Sequence, residues 1–464
     1  MTEETWQGAR LIPTSGINGP EEQERRATSA LLAVMSAVRE FGRALTAPLG
    51  APAGPVQTFI EVPFEHGGKK YFPDGLLRVS RGQRQWTALV EVKTGNNELQ
   101  TEQLESYLDI AREEGFDALI TISNQMPPMP GQHPTPVDKR KLKKVVLHHI
   151  PWTEILTAAV MQKEYRGVAD ADQAWILGEL IRYLEHPRSG AMEFTDMGPA
   201  WVTVREAVAS GTLRSTDPVV SEIASRFDAL VRYASLRLGR RLGTEVVPAL
   251  TRRELAEPAS RTQVLTGQLT TSGTMTAALR IPGAVGPLQV VADLRAAKVI
   301  CSVDIDAPKE GRPTTRVNWV VRQLKNAPDT VTVEAFAMHA RGQGTVDPLR
   351  LVREDPARLI VDPTKELRAF RITQVTSAGT KRGAGRGSFI DSVLAAIDDF
   401  YEQVLQSLKP WMPAPPRLRS TDEPTTAEPV SSSLIASAIS SQDGPELARV
   451  PRPAADVDEA TRAG

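Results

Sequence analysis

Asp74, Glu91 and Lys93 have the residue types and the spacing to do chemistry together. In "WTALVEVK" (86–93) a strand-like apolar run carries Glu91 and Lys93 two positions apart. A strand alternates its faces, so Trp86, Ala88, Val90 and Val92 point one way and Leu89, Glu91 and Lys93 the other. "GLLRVS" (75–80) and "RGQRQ" precede it, which reads as a β-hairpin. Antiparallel pairing then brings Asp74, at the start of the first strand, close to Glu91 at the end of the second. Two carboxylates converging at paired strand ends can hold a hard divalent cation through oxygen. Mg²⁺ suits such a site because it keeps several waters and needs few protein ligands. Lys93 would lie against an attacking water, or against a phosphate gaining charge in the transition state.

Other elements must position these groups. Ala27, Leu31, Val34, Met35, Val38, Phe41 and Leu45 recur at helical spacing, which predicts one helix from Pro20 to about Leu45. "TFIEVPFE" (58–65) alternates as a strand, with "GGKKY" as a turn. Leu104, Tyr107, Leu108 and Ala111 mark a helix that Gly115 ends. "FDALITIS" (116–123) and "VVLHHI" (145–150) complete the set as strands. The order is helix, three strands, helix, strand, loop, strand, an α/β domain over 20–150.

The motif Pro73-Asp74, one hairpin, then Glu91-Val92-Lys93, in that element order, resembles the PD-(D/E)XK nuclease superfamily over about a third of the chain. The resemblance implies a restriction-endonuclease-like αβββαβ core, with Asp74 and Glu91 as metal ligands and Lys93 as the catalytic lysine. It also implies a glutamate from the first helix. Glu24 fits best, since positions 24, 27, 31, 35 and 38 share one helical stripe. Gln103, one turn before Tyr107, is similar to the glutamine that several branches carry on the second helix. The expected function is Mg²⁺-dependent cleavage of DNA phosphodiester bonds, in repair or in defence against foreign DNA. RNA stays open as a substrate, and family analogy suggests a homodimer. The alternative is a nuclease-like DNA-binding or scaffold protein without turnover.

Plainer readings stand beside these. Glu91 and Lys93 could be a surface ion pair, and Asp74 a turn residue before Gly75. Glu24 could be a solvated carboxylate favoured at a helix start, and Gln103 a surface polar group. The run "KRKLKK" supplies Lys139, Arg140, Lys141, Lys143 and Lys144 as a basic strip expected beside the site for phosphate contact. "AGTKRGAGRGSF" sets Lys381, Arg382 and Arg386 among glycines before a helix, where backbone N–H groups could meet an anion. His148 and His149 face opposite ways on a strand and read as structural. Asp304 and Asp306 share a strand face but make a poor second metal site. Arg316 and Arg322 could contact a partner.

The 464 residues, 41% hydrophobic with 35 prolines, carry a net charge of −1, so no global field draws the chain to nucleic acid or membrane. The lone Cys301 excludes an intramolecular disulfide framework and reads as a core thiol. No run approaches a membrane span and the start lacks a signal-peptide pattern, so a cytoplasmic location is expected. Residues 1–19 should be loose. A mainly helical region is expected over 151–260, with strands beginning at "TQVLTGQLT" and an α+β domain over 261–410. The Pro- and Ser-rich tail, 411–464, should be disordered. No internal repeat is evident.

Overall fold

The computed structural model describes Ile12 and residues 16–413. The expectations for the tail from 414 onward and for most of residues 1–19 lie outside the described residues. The chain is a mixed α/β protein with one sheet that contains parallel strands and a separate antiparallel sheet. Its elements begin with α1 (Pro20–Ala37), α2 (Arg39–Thr46) and β1 (Val56–Ile60). A small ribbon, β2 (Phe64–His66) and β3 (Lys69–Tyr71), precedes the hairpin β4 (Gly75–Arg81) and β5 (Arg84–Val92). Then come α3 (Thr101–Glu113), β6 (Ala118–Ser123), β7 (Val146–Pro151), α4 (Trp152–Val160) and α5 (Ala171–Glu185).

The first sheet has the order β1-β4-β5-β6-β7. Strands β1, β4 and β5 are antiparallel neighbours, while β5, β6 and β7 run parallel. The alternation of β5 decides the layers. Trp86, Ala88, Val90 and Val92 enter a core with Ala27, Leu31 and Met35 of α1, whereas Leu89 joins Leu104, Tyr107 and Leu108 of α3. Each fully buried aliphatic side chain contributes about 1.5–3 kcal/mol of apolar transfer. Close approach of α1 depends on Gly75, where a Cβ would sit 2.5 Å from Leu32 Cδ1.

Two expectations for this layer need correction. The single helix over 20–45 is two, because Val38 adopts extended backbone (φ −104°, ψ 95°). The turns meet so tightly that a Cβ on Gly42 would lie 2.2 Å from the Met35 carbonyl oxygen. The strand over 58–65 stops at Ile60. Glu61 takes a positive φ of 50° and Pro63 has no N–H for a ladder, so Phe64 and Glu65 form the separate ribbon with Lys69–Tyr71.

Beyond this layer lie α6 (Trp201–Ser210), α7 (Pro218–Leu242), β8 (Val247–Pro248), α8 (Arg252–Ala256) and α9 (Pro258–Thr271). Strands β9 (Thr274–Arg280), β10 (Leu288–Asp293) and β11 (Lys298–Asp306) follow, then α10 (Pro313–Gln323) and β12 (Thr332–Ala337). The last elements are β13 (Thr345–Pro348), α11 (Leu349–Glu354), β14 (Leu367–Ser377) and α12 (Phe389–Gln403). The antiparallel sheet has the order β13-β12-β14-β11-β10-β9-β8. Val299, Cys301, Val303 and Ile305 of β11 share its core with α7 and α12. Burial pushes the Cys301 thiol up to about 12, consistent with an inert core thiol.

The cores divide differently from the expected boundaries at 150 and 260. The first runs through α4 and α5 to Leu184, and the second extends from Met197 to Leu408, taking in α6, α7 and α9. "TQVLTGQLT" is not a strand but lies in α9, where Arg261, Leu265 and Leu269 recur four residues apart and turn inward. β14, absent from the expected strands, pairs with both β11 and β12. Among the described residues no helix is long and apolar enough to cross a membrane.

Candidate active site

The hairpin register pairs Gly75 with Val90, so the next pair outward is Asp74 opposite Glu91. Asp74 is not a free turn residue. Its Oδ2 accepts the Val92 N–H at 2.7 Å, which ties the start of β4 to the exit of β5. Glu91 is 1% exposed. Lys93 Nζ lies 2.6 Å from Glu91 Oε1 and 3.0 Å from Glu24 Oε1, so α1 delivers Glu24 to the same ammonium. The buried geometry rules out a solvated surface pair for Glu91–Lys93 and a freely solvated carboxylate for Glu24.

Backbone ties hold this arrangement. Lys93 N–H donates to the Ile122 carbonyl at 2.7 Å, and the Trp152 indole N–H donates to the Lys93 carbonyl at 2.9 Å. Asn97 Nδ2 donates to Glu24 Oε2 at 3.4 Å. Gln103 contacts none of the acids through a hydrogen bond; its Nε2 donates to the Tyr107 hydroxyl at 3.2 Å. Tyr107 in turn donates to the Phe72 carbonyl at 3.4 Å. Gln103 therefore acts on the segment leading into Asp74 through Tyr107.

The electrostatics are unbalanced. Burial, and then the Asp74 charge, push the Glu91 carboxyl up to about 8, although Lys93 pulls the other way. Burial also raises Asp74, against the lowering effect of the Val92 N–H and Lys93. Burial disfavours the Lys93 ammonium, but Glu91 and Glu24 outweigh it and keep lysine charged. Burial and the Glu91 charge raise Tyr107, which stays a phenol donor. Three carboxyls thus share one ammonium, and a carboxyl pair can relieve repulsion by holding a proton or by meeting a cation. Among the described residues no group of three or more His, Cys, Asp or Glu side chains converges as a ready-made metal site. Lys93 and Asn97 take both oxygens of Glu24, whereas Lys93 takes only Oε1 of Glu91, which leaves Asp74 and the second Glu91 oxygen as the available donors. Two carboxylates plus water match the sparse protein ligation typical of Mg²⁺.

The polar row continues across the sheet. Glu91 aligns with Thr121 of β6, and Thr121 with His149 of β7. Thr121 Oγ1 lies 2.8 Å from His149 Nδ1 and 2.8 Å from His133 Nε2, and His149 Nε2 lies 2.9 Å from the Gln125 carbonyl. One consistent proton assignment runs from His133 Nε2–H to Thr121, from Thr121 O–H to His149 Nδ1, and from His149 Nε2–H to Gln125. Burial lowers both imidazoles, His149 to about 3, so they serve as neutral links. His149 is structural, as expected, but His133 and Thr121 were not foreseen as its partners.

The two basic segments fall in different places. Val146 N–H donates to the Asp117 carbonyl, which puts the start of β7 beside the start of β6. "KRKLKK" sits there, at the end of the sheet opposite Glu91 and Lys93, rather than next to the site. Lys141 pairs with Asp109 and Arg140 with Asp138, while Lys139, Lys143 and Lys144 are exposed. The loop with Lys381, Arg382 and Arg386 lies along the segment 195–197: Met197 N–H donates to the Arg382 carbonyl, and Arg382 Nε is 3.1 Å from Asp196 Oδ1. Five residues before that segment, Gly190 O accepts the Gly95 N–H, two residues past Lys93. The anion position expected at the following helix is used internally, because Ser388 caps α12 and Asp391 accepts Gly385 N–H at 2.6 Å. Lys381 and Arg386 remain exposed.

One further expectation fails on burial and pairing. Arg316 is buried and donates to the Leu367, Gly311 and Lys309 carbonyls, so it braces its own domain and presents nothing to a partner. Asp304 is held by Arg371 at 2.7 and 2.9 Å, in keeping with its being a poor metal ligand. Asn97 and Trp152 are the site residues that sequence reasoning missed. Neither carries a periodic or motif signal, since each reaches the site only through the fold.

Compared with known proteins, the chain matches no family model, and no curated protein matches it.

Proposed function

We propose that this chain is a metal-dependent nuclease that cleaves DNA phosphodiester bonds, built on a PD-(D/E)XK-like core. The observation that carries the reading is buried Glu91 with half-buried Asp74 opposite it and Lys93 beside it, at the exit of a central strand flanked by α1 and α3. The order α1, β1, β4, β5, α3, β6 supports it, since these elements follow the αβββαβ arrangement. Asp74 and Glu91 would hold Mg²⁺, which supplies a water of lowered pKa and polarises a phosphoryl oxygen.

The chain's own residues have distinct roles in this reading. Lys93 orients the attacking water or neutralises charge on the phosphate as it grows in the transition state. Glu24 and Asn97 fix the reach of Lys93, and Trp152 fixes its backbone. Tyr107 and Gln103 hold the approach to Asp74. Lys381 and Arg386 offer sequence-independent phosphate contacts.

The test uses purified protein with plasmid DNA and Mg²⁺, with and without EDTA. Lys93→Ala and Asp74→Asn should each lower the cutting rate by about a hundredfold or more, the scale of losing one preorganised charge partner. Mg²⁺-dependent cutting that survives both changes would falsify the mechanism. One observation favours a second reading, a DNA-binding protein without turnover: Lys93 is engaged by Glu24 and Glu91, and among the described residues no third side chain completes a metal-ligand group with Asp74 and Glu91. Retention on DNA that falls with salt, with no cleavage, would select that reading.

A further inference from the structure

Phe72 stands two residues before Asp74 and is 56% exposed. An isolated exposed aromatic is ordinary; this one is held in a defined place. Its carbonyl accepts the Tyr107 hydroxyl at 3.4 Å, and the preceding Tyr71 ring packs edge-on against Tyr107 with centroids 6.3 Å apart. The following Pro73 is buried, and Gly75 packs against Leu32. Phe72 and Pro73 lie in the connection between β3 and β4, which bends at Asp74, and the Tyr107 hydroxyl on the Phe72 carbonyl holds that connection against α3. Leu76 enters the α3-side core, Asp74 stands opposite Glu91 in the hairpin register, and Phe72 is exposed two residues earlier. The result is an exposed aromatic side chain whose backbone is anchored on α3, two residues from the Asp74 carboxylate.

Its surroundings favour a nucleic-acid strand. The ribbon leading to Phe72 carries Lys69 and Lys70, both exposed and without an ion pair among the described residues. Glu65 lies across from Lys70 in the ribbon, so the lysines form a modest rather than an intense positive patch. On the neighbouring edge strand Phe59 is 42% exposed, with the Arg78 guanidinium 5.7 Å from its ring centroid. Aromatic faces interleaved with cations are what an unpaired strand engages: bases stack on the rings and phosphates meet the charges.

We infer that Phe72 is a base-stacking platform and that the substrate is DNA with unpaired bases at the cleavage point, a single strand or a frayed end. The inference rests on the nuclease reading of the Asp74–Glu91 site and names its substrate class. Two residues of extended chain span at most about 7 Å, so a base on Phe72 and a phosphate at Asp74 belong to neighbouring nucleotides. In an intact duplex the faces of that base are already covered by its neighbours. Engaging it would cost a few kcal/mol of unstacking, and an unpaired strand avoids this cost.

The experiment measures binding, so it does not depend on turnover. Full-length protein is titrated into fluorescein-labelled oligothymidylate and, separately, into a blunt duplex, both in EDTA. Phe72→Ala should weaken single-strand binding by about fivefold to a hundredfold, the range for losing one stacked base. Duplex binding should be unchanged, and Phe72→Trp should restore the single-strand affinity. A folded Phe72→Ala variant, checked by circular dichroism, that binds both DNAs as the parent does overturns the platform and leaves the nuclease reading standing. Equal losses on both DNAs also overturn it, since stacking on an unpaired base would not weaken duplex binding. A parent protein that retains neither DNA and, with Mg²⁺, cuts neither the oligothymidylate nor plasmid ends both readings.

Discussion

Two buried clusters in this chain use the same residue types to opposite ends. In the second core, Asp228 of α7 faces Arg261 of α9, with guanidinium nitrogens at 2.9 and 3.2 Å from the carboxylate. Burial raises Asp228, and Arg261 pulls it back. Asp228 grips Arg261 bidentately while Glu254 lies 3.5 Å from the same guanidinium, so the buried acid has a base seated directly on it. At the end of β5, Asp74, Glu91 and Glu24 gather about a single ammonium. Burial alone therefore does not mark a site. Three carboxyls about one ammonium, with the Glu91 carboxyl raised by burial and by Asp74, make the stronger candidate, since functional sites are where such perturbed groups cluster.

The largest expected effect tests the matched cluster. Asp228→Ala leaves the Arg261 charge buried without its main partner and should cost about 3–5 kcal/mol in urea unfolding, with plasmid cutting by the remaining folded protein unchanged. Replacing both residues, as Asp228→Leu with Arg261→Met, should recover most of that loss. A double variant as unstable as the single one would show that shape, not charge, holds α7 to α9.

The opposite sign is expected at the unmatched cluster. Glu91 has its carboxyl raised to about 8 in the fold, so its contribution to stability is fully present below its unfolded value near 4.5 and is lost as pH rises through about 8. Glu91→Gln should remove that loss. The variant should gain on the parent by a few kcal/mol at alkaline pH, while its cleavage disappears. Parallel stability curves for the two proteins from pH 5 to about 9 would contradict the raised carboxyl.

The cluster at the end of β5 could be read before the fold was known, and the reason is local; the Asp228–Arg261 pair could not. A period of two along "WTALVEVK" fixes which side chains share a face, and a short hairpin fixes that Asp74 meets Glu91. Glu24 followed from a helical stripe that continues into the core. What failed depends on register or on distant chain. "KRKLKK" precedes β7, and only the parallel alignment of Val146 with Ala118 sends it to the far end of the sheet. "TQVLTGQLT" mixes β-branched and polar residues as a strand would, yet the helix is decided by Leu265 and Leu269 docking on α7 and the sheet. Trp152 and Asn97 enter the site from loops and element ends that no spacing rule connects to Glu91.

A smaller effect sharpens the difference between the clusters. If Asp74 and Glu91 take up Mg²⁺, the ion stabilises the folded protein by about 1.4 kcal/mol at ten times its dissociation constant. Thermal unfolding at pH 8 should therefore shift upward with Mg²⁺ in the parent. Asp74→Asn should abolish the shift, whereas Asp228→Ala should keep it.

The smallest effect concerns Asp304 and Arg371, a matched pair outside the core. Their side chains are 55% and 44% exposed, so water screens the pair and competes for both partners. Asp304→Ala should change stability by less than about 1 kcal/mol, well below the loss at Asp228. Added Mg²⁺ should leave that difference unaltered, because Arg371 already occupies the carboxylate that a metal would need. A loss as large as that of Asp228→Ala would mean that exposure does not separate the two acid–arginine pairs, and the ranking of charge clusters by burial and balance would have to be abandoned.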